Sequence, residues 1–105
     1  MSKKYVDFLV VGSGIAGLSF ALKASKYGSV CLLTKDAVQE TSTRYAQGGI
    51  AAVMYEPDTY NKHIADTMKA GHELSDPEIV RITITESTQR VKDLINWGVD
   101  FDKNP

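Results

Sequence analysis

The sequence has one cysteine, one tryptophan and three prolines among its 105 residues. A single cysteine, Cys31, excludes an internal disulfide framework and a metal site built from paired cysteines. Cys31 lies in the apolar run at residues 30–33, which predicts a small buried side chain rather than a nucleophile. We therefore expect neither a metal nor a disulfide to stabilise this chain.

Long apolar runs are also missing. No stretch reaches the roughly 20 residues that a membrane-spanning helix needs. The basic start of the chain leads through Asp7 into glycines, without the small-residue cleavage site of a signal peptide. These absences predict a cytoplasmic protein that does not contact a membrane.

The chain also lacks an excess of charge of one sign, because 12 basic and 13 acidic residues give a formal net charge of -1. A balance this close to zero gives no electrostatic reason for binding nucleic acid or an anionic membrane. An apolar content of 43% is ordinary for a globular protein. A length of 105 residues suits one small domain, but it is short for an enzyme that holds a dinucleotide and a substrate.

The first third of the chain has the pattern of a βαβ unit. Residues 6–11 form an apolar run typical of a buried parallel strand. Apolar side chains then recur at helical spacing over residues 14–27, Gly28 ends the predicted helix, and residues 30–34 form a second apolar run. This order predicts two parallel strands with a right-handed crossover.

The rest of the sequence predicts a loop and two helices. Residues 35–43 are polar, and residues 45–55 are too irregular to assign. A helix is predicted over residues 59–69 with Asp58 as N-cap, and a capping box at residues 75–78 predicts a second helix over residues 77–97. Residues 79–84 are rich in β-branched side chains, so a strand is the alternative prediction for that segment. The predicted fold class is α/β, a Rossmann-like βαβ unit followed by two helices. It is incomplete without further parallel strands.

A glycine pattern stands between the first strand and the first helix. Each glycine has its own steric role in a dinucleotide-binding turn: Gly12 permits the tight turn, Gly14 lets a pyrophosphate approach, and Gly17 lets the helix pack on the strand. The helix dipole and free N–H groups favour an anion there. A structural turn without a ligand is the alternative. The six candidate binding residues are Gly12, Ser13, Gly14, Ile15, Ala16 and Gly17.

The residue that often binds the ribose of NAD is not where it would be expected. An acidic side chain usually ends the second strand of such units, but Lys35 stands there and Asp36 follows in the predicted loop. This makes NAD less favoured. Lys35 can instead contact the adenosine part through its stem, charge or backbone.

Residues 41–52, which read TSTRYAQGGIAA, are the segment that most resembles a known family. Together with the glycine turn and Lys35, they resemble the FAD domain of the succinate dehydrogenase and fumarate reductase flavoprotein family, and within it the L-aspartate oxidase branch. The resemblance implies that this segment wraps FAD, with hydroxyl, amide and open backbone groups facing the flavin. A glycine-rich surface loop is the alternative. The cofactor-binding residues implied here are Ser42, Thr43, Arg44, Tyr45, Ala46, Gln47, Gly48 and Gly49.

One position in that segment bears on how FAD is held. Family members with covalent flavin have a histidine five residues before the glutamine, where this chain has Ser42. Serine cannot form the histidyl–flavin bond, so the resemblance implies noncovalent FAD. Arg44 is also a candidate phosphate contact.

The resemblance implies that the full-length protein oxidises L-aspartate to iminoaspartate, with oxygen or fumarate as electron acceptor. Its product would pass to quinolinate synthase for NAD synthesis. The family's substrate-binding arginines and histidines lie in segments beyond this sequence, so we assign no catalytic residue. A noncovalent fumarate reductase or a non-catalytic nucleotide-binding module stays open. The 105-residue chain alone is expected to be inactive and to self-associate.

Two histidines, His63 and His72, lie outside the flavin motifs and are expected to be surface or satisfied side chains. The acidic residues of the second half are expected to be helix caps and surface charges. Trp97 is expected to anchor a helix end in the core.

Overall fold

The computed structural model describes residues 3–46 and 49–102. The chain divides into two compact units, Met1–Gly48 and Gly49–Pro105. Two of the expected cofactor-binding residues, Gln47 and Gly48, lie outside the described residues.

The first unit contains the expected βαβ arrangement. Strand β1 (Phe8–Val11) is followed by helix α1 (Ile15–Ala24), strand β2 (Val30–Leu33) and a single-turn helix α2 (Ser42–Tyr45). β1 and β2 are parallel, with Phe8 opposite Val30 and Val11 opposite Leu33. The α/β class and the parallel pair are therefore confirmed. α2 was not predicted, because it begins at the end of the expected loop, residues 35–43, and runs into the segment left unassigned, residues 45–55.

β1 begins two residues later than the apolar run predicts, because Asp7 is held by side-chain hydrogen bonds instead of a ladder. Its carboxylate Oδ2 accepts from the Ser29 N–H at 2.7 Å and from the Ser29 hydroxyl at 2.8 Å. The Asp7 N–H donates back to Ser29 Oγ at 3.1 Å. These bonds lower the pKa of Asp7, with the Ser29 hydroxyl making the largest contribution. We call this pair the Asp7–Ser29 clasp.

α1 ends three residues earlier than predicted. The Ser25 hydroxyl donates to the Leu22 carbonyl at 2.9 Å, and the Tyr27 N–H donates to the Ala24 carbonyl at 2.8 Å. The chain thus tightens into i→i−3 bonds before Gly28. A Cβ at Gly28 would come within 2.7 Å of the Asp7 carboxylate, so the glycine makes room for the clasp.

The sheet of the first unit is only partly covered within the described residues. Val10 and Ala24 are buried, and Phe8 packs edge-on against Phe20 at a ring separation of 6.3 Å. Leu9 and Val11 are 61% and 75% exposed. Cys31 is half-buried, so it is less enclosed than its apolar neighbours suggested.

The second unit consists of helix α3 (Tyr60–Ala70) and helix α4 (Pro77–Asn96). Both helices were predicted to within one residue at each end, and the alternative of a strand at residues 79–84 is wrong. These residues form a helix and not a strand because Val80 and Ile84, which lie one helical turn apart on the same face, are both buried.

The predicted caps of these helices need correction. Thr59, not Asp58, caps α3 by accepting from the Lys62 N–H. Asp76, not Ser75, caps α4 by accepting from the N–H groups of Glu78 and Ile79. In both cases the residue directly before the first helical turn provides the oxygen, which is the geometry that N-capping requires.

A hydrogen-bond chain joins the two helices to the segment before them. The Thr88 hydroxyl donates to the Val53 carbonyl at 2.6 Å, so the 3.0 Å contact between Tyr60 and Thr88 has the Tyr60 hydroxyl as donor. Trp97 caps the end of α4 and is 37% exposed, so it is not the fully buried anchor that was expected. In the described ranges, none of the helices is both long and apolar enough to cross a membrane.

Candidate functional site

The glycine turn is held at the carboxyl end of the two strands. The Gly12 N–H donates to the Leu33 carbonyl, the last residue of β2, at 2.9 Å. Gly12 has a φ of +109°, a conformation that residues with a Cβ rarely adopt. Gly12 therefore makes the tight strand-to-helix turn, as the sequence predicted.

Gly17 provides the close packing of α1 on this turn. A Cβ at Gly17 would lie 2.0 Å from the Gly12 carbonyl oxygen and 3.1 Å from its carbon. Backbone atoms cannot give way as the end of a side chain can, so only glycine fits at this position.

Gly14 differs from both, because its surroundings are open. It is the N-cap of α1, with φ -71° and ψ 179°, which any residue can adopt. A Cβ there would meet only the Thr43 hydroxyl, at 3.5 Å. A glycine that neither the backbone conformation nor packing requires leaves a side of the turn free for a ligand's close approach.

The start of α1 offers unpaired donors to that open side. The first N–H groups of any helix lack acceptors within the helix and carry the positive end of its dipole. The Ile15 N–H is already occupied, because it donates to Thr43 Oγ1 at 3.2 Å, whereas the N–H groups of the next residues in the first turn have no acceptor within the helix. Ile15 and Ala16 are exposed, Gly14 and Gly17 are half-buried, and Ser13 is only 7% exposed, so Ser13 offers little surface to a ligand.

The Thr43 contact brings the two predicted motifs together. α2 begins at Ser42, capped by the Thr41 hydroxyl, which accepts from the Arg44 N–H at 3.2 Å. This single turn carries Thr43 to the start of α1. Fitting an anionic pyrophosphate needs free N–H groups, space that lacks a Cβ, and nearby hydroxyls, and this part of the first unit has all three.

Glu40 organises the following residues and was missed by the sequence analysis. The Tyr45 hydroxyl donates to both Glu40 carboxylate oxygens, at 2.8 and 3.0 Å. Arg44 Nη1 lies 3.8 Å from Glu40 Oε1, and the Arg44 guanidinium carbon lies 5.9 Å from the centre of the Tyr45 ring. Hydrogen bonding to Glu40 and partial desolvation raise the pKa of Tyr45. The i,i+5 spacing of an acid and a tyrosine was the available signal.

The segment after β2 begins with a bend, in the region that was expected to be loop. The Asp36 carboxylate accepts from the Ala37 N–H at 2.7 Å, and the Thr34 hydroxyl donates to the Asp36 carbonyl. Asp36 therefore has a local role in the bend, and Lys35 stands exposed beside it. Among the other expected binding residues, Ser42 and Ala46 are exposed in the first unit, and Gly49 is exposed in the second.

A shallow cleft of about 360 Å³ lies in the second unit. Its lining includes Asp58, Lys62, His63 and Asp66. His63 is half-buried, and its Nδ1 is buried without a hydrogen-bond partner among the described residues. The expectation of a surface or satisfied histidine is therefore wrong for His63, whereas His72 is exposed as expected. Within residues 3–46 and 49–102, no three His, Cys, Asp or Glu side chains are grouped as metal ligands.

Comparison with known proteins decides the family. Residues 7–105 match the family described as FAD binding domain. The chain belongs to this family. Its relatives include the chloroplastic L-aspartate oxidase of Oryza sativa subsp. japonica, 52% identical over 99 residues, which are 94% of this chain and 15% of that protein. They also include the L-aspartate oxidase of Vibrio cholerae, 47% identical over 97 residues, or 92% of this chain and 18% of that one.

Solved structures agree with this placement of the FAD-binding chain. A structure of E. coli quinol fumarate reductase superposes with a TM-score of 0.86 at 28% identity, covering 100% of this chain and 18% of that one. The chain thus spans less than a fifth of the length of each relative described here. FAD is therefore the cofactor of this chain.

Proposed function

We propose that residues 1–105 are the amino-terminal part of the FAD-binding domain of an enzyme that oxidises L-aspartate to iminoaspartate. Identities of 52% and 47% to L-aspartate oxidases support this reading. The observation that carries the FAD-binding part of the proposal is the glycine turn, where a required glycine on each side flanks an open one at the start of α1. Oxygen or fumarate would accept the electrons.

In this proposal the chain's own residues bind and orient the cofactor. Gly14 and the first N–H groups of α1 face the pyrophosphate, Thr43 adds a hydroxyl beside them, and Lys35 contacts the adenosine part. When bound, FAD supplies the acceptor for the hydride that leaves the substrate. The proposed contacts are Gly12, Gly14, Ile15, Ala16, Gly17, Lys35, Ser42, Thr43, Arg44, Tyr45, Ala46, Gln47, Gly48 and Gly49, whereas Ser13, only 7% exposed, is not among them.

FAD is bound noncovalently in this proposal because Ser42 occupies the position of the flavin-linking histidine. Acid precipitation of the purified complete protein tests this directly. All yellow colour should be released into the supernatant, and a histidyl-flavin protein treated in parallel should retain its colour in the pellet. Flavin retained on the washed, denatured protein would contradict the noncovalent assignment.

A fumarate reductase is the second candidate, supported by the structural match to E. coli quinol fumarate reductase. The two activities are separated by their substrates. The complete protein should produce hydrogen peroxide or reduce fumarate when L-aspartate is supplied. Reduction of fumarate by a reduced dye, without any oxidation of L-aspartate, would favour the second candidate. A protein that binds FAD and does neither would be a non-catalytic nucleotide-binding module.

Three further parts of the proposal concern partners and location. Transfer of iminoaspartate to quinolinate synthase follows from the proposed reaction, since the next step must consume that product. Self-association of the isolated chain is supported by the exposure of Leu9 and Val11 on β1. A cytoplasmic location is the third part. Because the rice relative is named chloroplastic, this location needs a test of its own, which fractionation of cells that produce the protein provides.

A further inference from the structure

Two neighbouring side chains of the flavin-binding segment share one acidic partner. The Glu40 carboxylate accepts the Tyr45 hydroxyl through both oxygens, at 2.8 and 3.0 Å, and lies 3.8 Å from Arg44 Nη1. Arg44 in turn lies against the Tyr45 ring. Glu40, Arg44 and Tyr45 therefore form a closed set of contacts, which we call the Glu40 cluster.

The cluster is anchored from both directions. The Glu40 N–H donates to the Ala37 carbonyl at 2.9 Å, which fixes the carboxylate's own backbone in the preceding turn. Arg44 and Tyr45 are the last two residues of α2. A helix of one turn has little stability of its own, so side-chain contacts across its end matter more than they would in a longer helix.

Ordinary surface pairs of this kind contribute little, because solvent screens them. The contacts of Glu40 differ from these because they hold α2, and α2 carries Thr43, whose hydroxyl accepts from the Ile15 N–H at the start of α1. Whatever fixes the turn at residues 42–45 also fixes Thr43 next to the Ile15 N–H. The contacts of Glu40 thus bear on the place where the pyrophosphate is expected.

We propose that Glu40 is a positioning residue for FAD, which holds α2 in the conformation that presents Thr43, Arg44 and Tyr45 to the cofactor. This inference rests on the proposed FAD contacts of that segment. Glu40 itself does not touch the cofactor.

The proposal also assigns a role to Tyr45. Its single hydroxyl proton is shared between the two Glu40 oxygens, so the hydroxyl is not available as a donor to FAD or as a source of protons. Tyr45 is 64% exposed, so its ring is the part that contacts the cofactor in this proposal. Removing the hydroxyl should therefore act through α2 and not through a lost bond to FAD.

The test measures the FAD dissociation constant of the complete protein by flavin fluorescence quenching. Glu40→Ala should weaken FAD binding by about 3–10-fold, the loss of a hydrogen bond to a charged group near the surface. Glu40→Gln keeps an oxygen that can accept the Tyr45 hydroxyl, so it should restore most of the affinity. Glu86→Ala, on the exposed side of α4, is the matched control and should bind FAD as the wild type does.

A double-mutant cycle distinguishes positioning from general destabilisation. Tyr45→Phe should weaken binding about as much as Glu40→Ala, and the double variant should be no weaker than either. The visible circular dichroism of bound flavin should change in Glu40→Ala and return in Glu40→Gln, while the urea unfolding midpoint of the FAD-free protein stays that of the wild type.

The outcomes separate this inference from the proposed function. Wild-type affinity and flavin dichroism in Glu40→Ala would overturn the positioning role and leave FAD binding by the segment intact. Additive losses in the double variant, or an equal loss in Glu40→Gln and Glu40→Ala, would also overturn it. A wild-type protein without FAD affinity would overturn the proposed function and this inference with it.

Discussion

Gly17 and Gly14 should respond oppositely to substitution, although both belong to the same turn. At Gly17 a methyl group would lie 2.0 Å from the Gly12 carbonyl oxygen, so the backbone of α1 or of the turn must move by more than about 1 Å to restore van der Waals contact. Overpacking of this kind costs about 1–3 kcal/mol. Helix propensity alone works in the other direction, since alanine is better than glycine inside a helix by about 1 kcal/mol.

The sign of the stability change therefore tests the packing at Gly17. We expect Gly17→Ala to lower the free energy of unfolding of the FAD-free protein, measured by urea titration with circular dichroism. If the Cβ at position 17 met no backbone atoms, Gly17→Ala would instead raise stability, because alanine is the better residue inside a helix. A Gly17→Ala protein that is as stable as the wild type would refute the close approach of α1 to Gly12.

Gly14→Val should leave the fold intact and remove FAD. The Gly14 backbone suits any residue, and a Cβ meets only Thr43 Oγ1 at an ordinary contact distance, so the loss of stability should stay below about 1 kcal/mol, the cost of a poorer N-cap. The added methyl groups occupy the space for the pyrophosphate. Purified Gly14→Val should show near-native circular dichroism and no flavin absorbance. Normal flavin content would place the pyrophosphate elsewhere.

Three further tests concern Asp7 and the isolated chain. The folded pKa of Asp7 is lowered by Ser29, so its stabilisation is present above the ordinary value of about 3.9 and is lost as pH falls through the folded value. Urea titrations below about pH 4 should show a smaller acid-induced loss for Asp7→Asn than for the wild type, and identical losses would exclude the clasp. Residues 1–105 alone, supplied with FAD, should form no hydrogen peroxide from L-aspartate beyond a free-FAD blank. Light scattering of that chain should show dimers or larger species that dissociate on dilution, and a monodisperse monomer with micromolar FAD affinity would contradict this.

Sequence patterns predicted the βαβ unit and both long helices, because each rests on local periodicity and on glycine or proline signals. The separate roles of Gly12 and Gly17 were also predictable, since their steric requirements follow from one turn geometry. The caps were harder to predict. Asp58 and Thr59 are both good N-cap residues, and only the backbone conformation decides which side-chain oxygen faces the free N–H groups. The early end of α1 depends on Ser25 bonding back to Leu22, which periodicity does not reveal.

The contacts between distant segments could not be predicted. The Asp7–Ser29 clasp joins residues 22 apart, and its signal is only a pair of polar residues flanking two strands. Glu40 was hidden because it lies in a segment expected to be loop, and its partners Arg44 and Tyr45 follow where no helix was predicted. Among residues 3–46 and 49–102, Nδ1 of His63 has no hydrogen-bond partner. This depends on packing within the second unit, whereas residue type alone favoured an ordinary surface histidine.

The hydrogen bond from Ile15 to Thr43 also has a consequence for the kinetics of cofactor capture. It closes a connection of 28 residues before any ligand arrives, so the entropic cost of closing that loop belongs to folding and not to binding. A segment that had to order around the cofactor would slow association and make it level off at high ligand concentration. With Thr43 already in place, the rate of capture should rise in proportion to the FAD concentration, and differences between variants should appear in how long the complex survives.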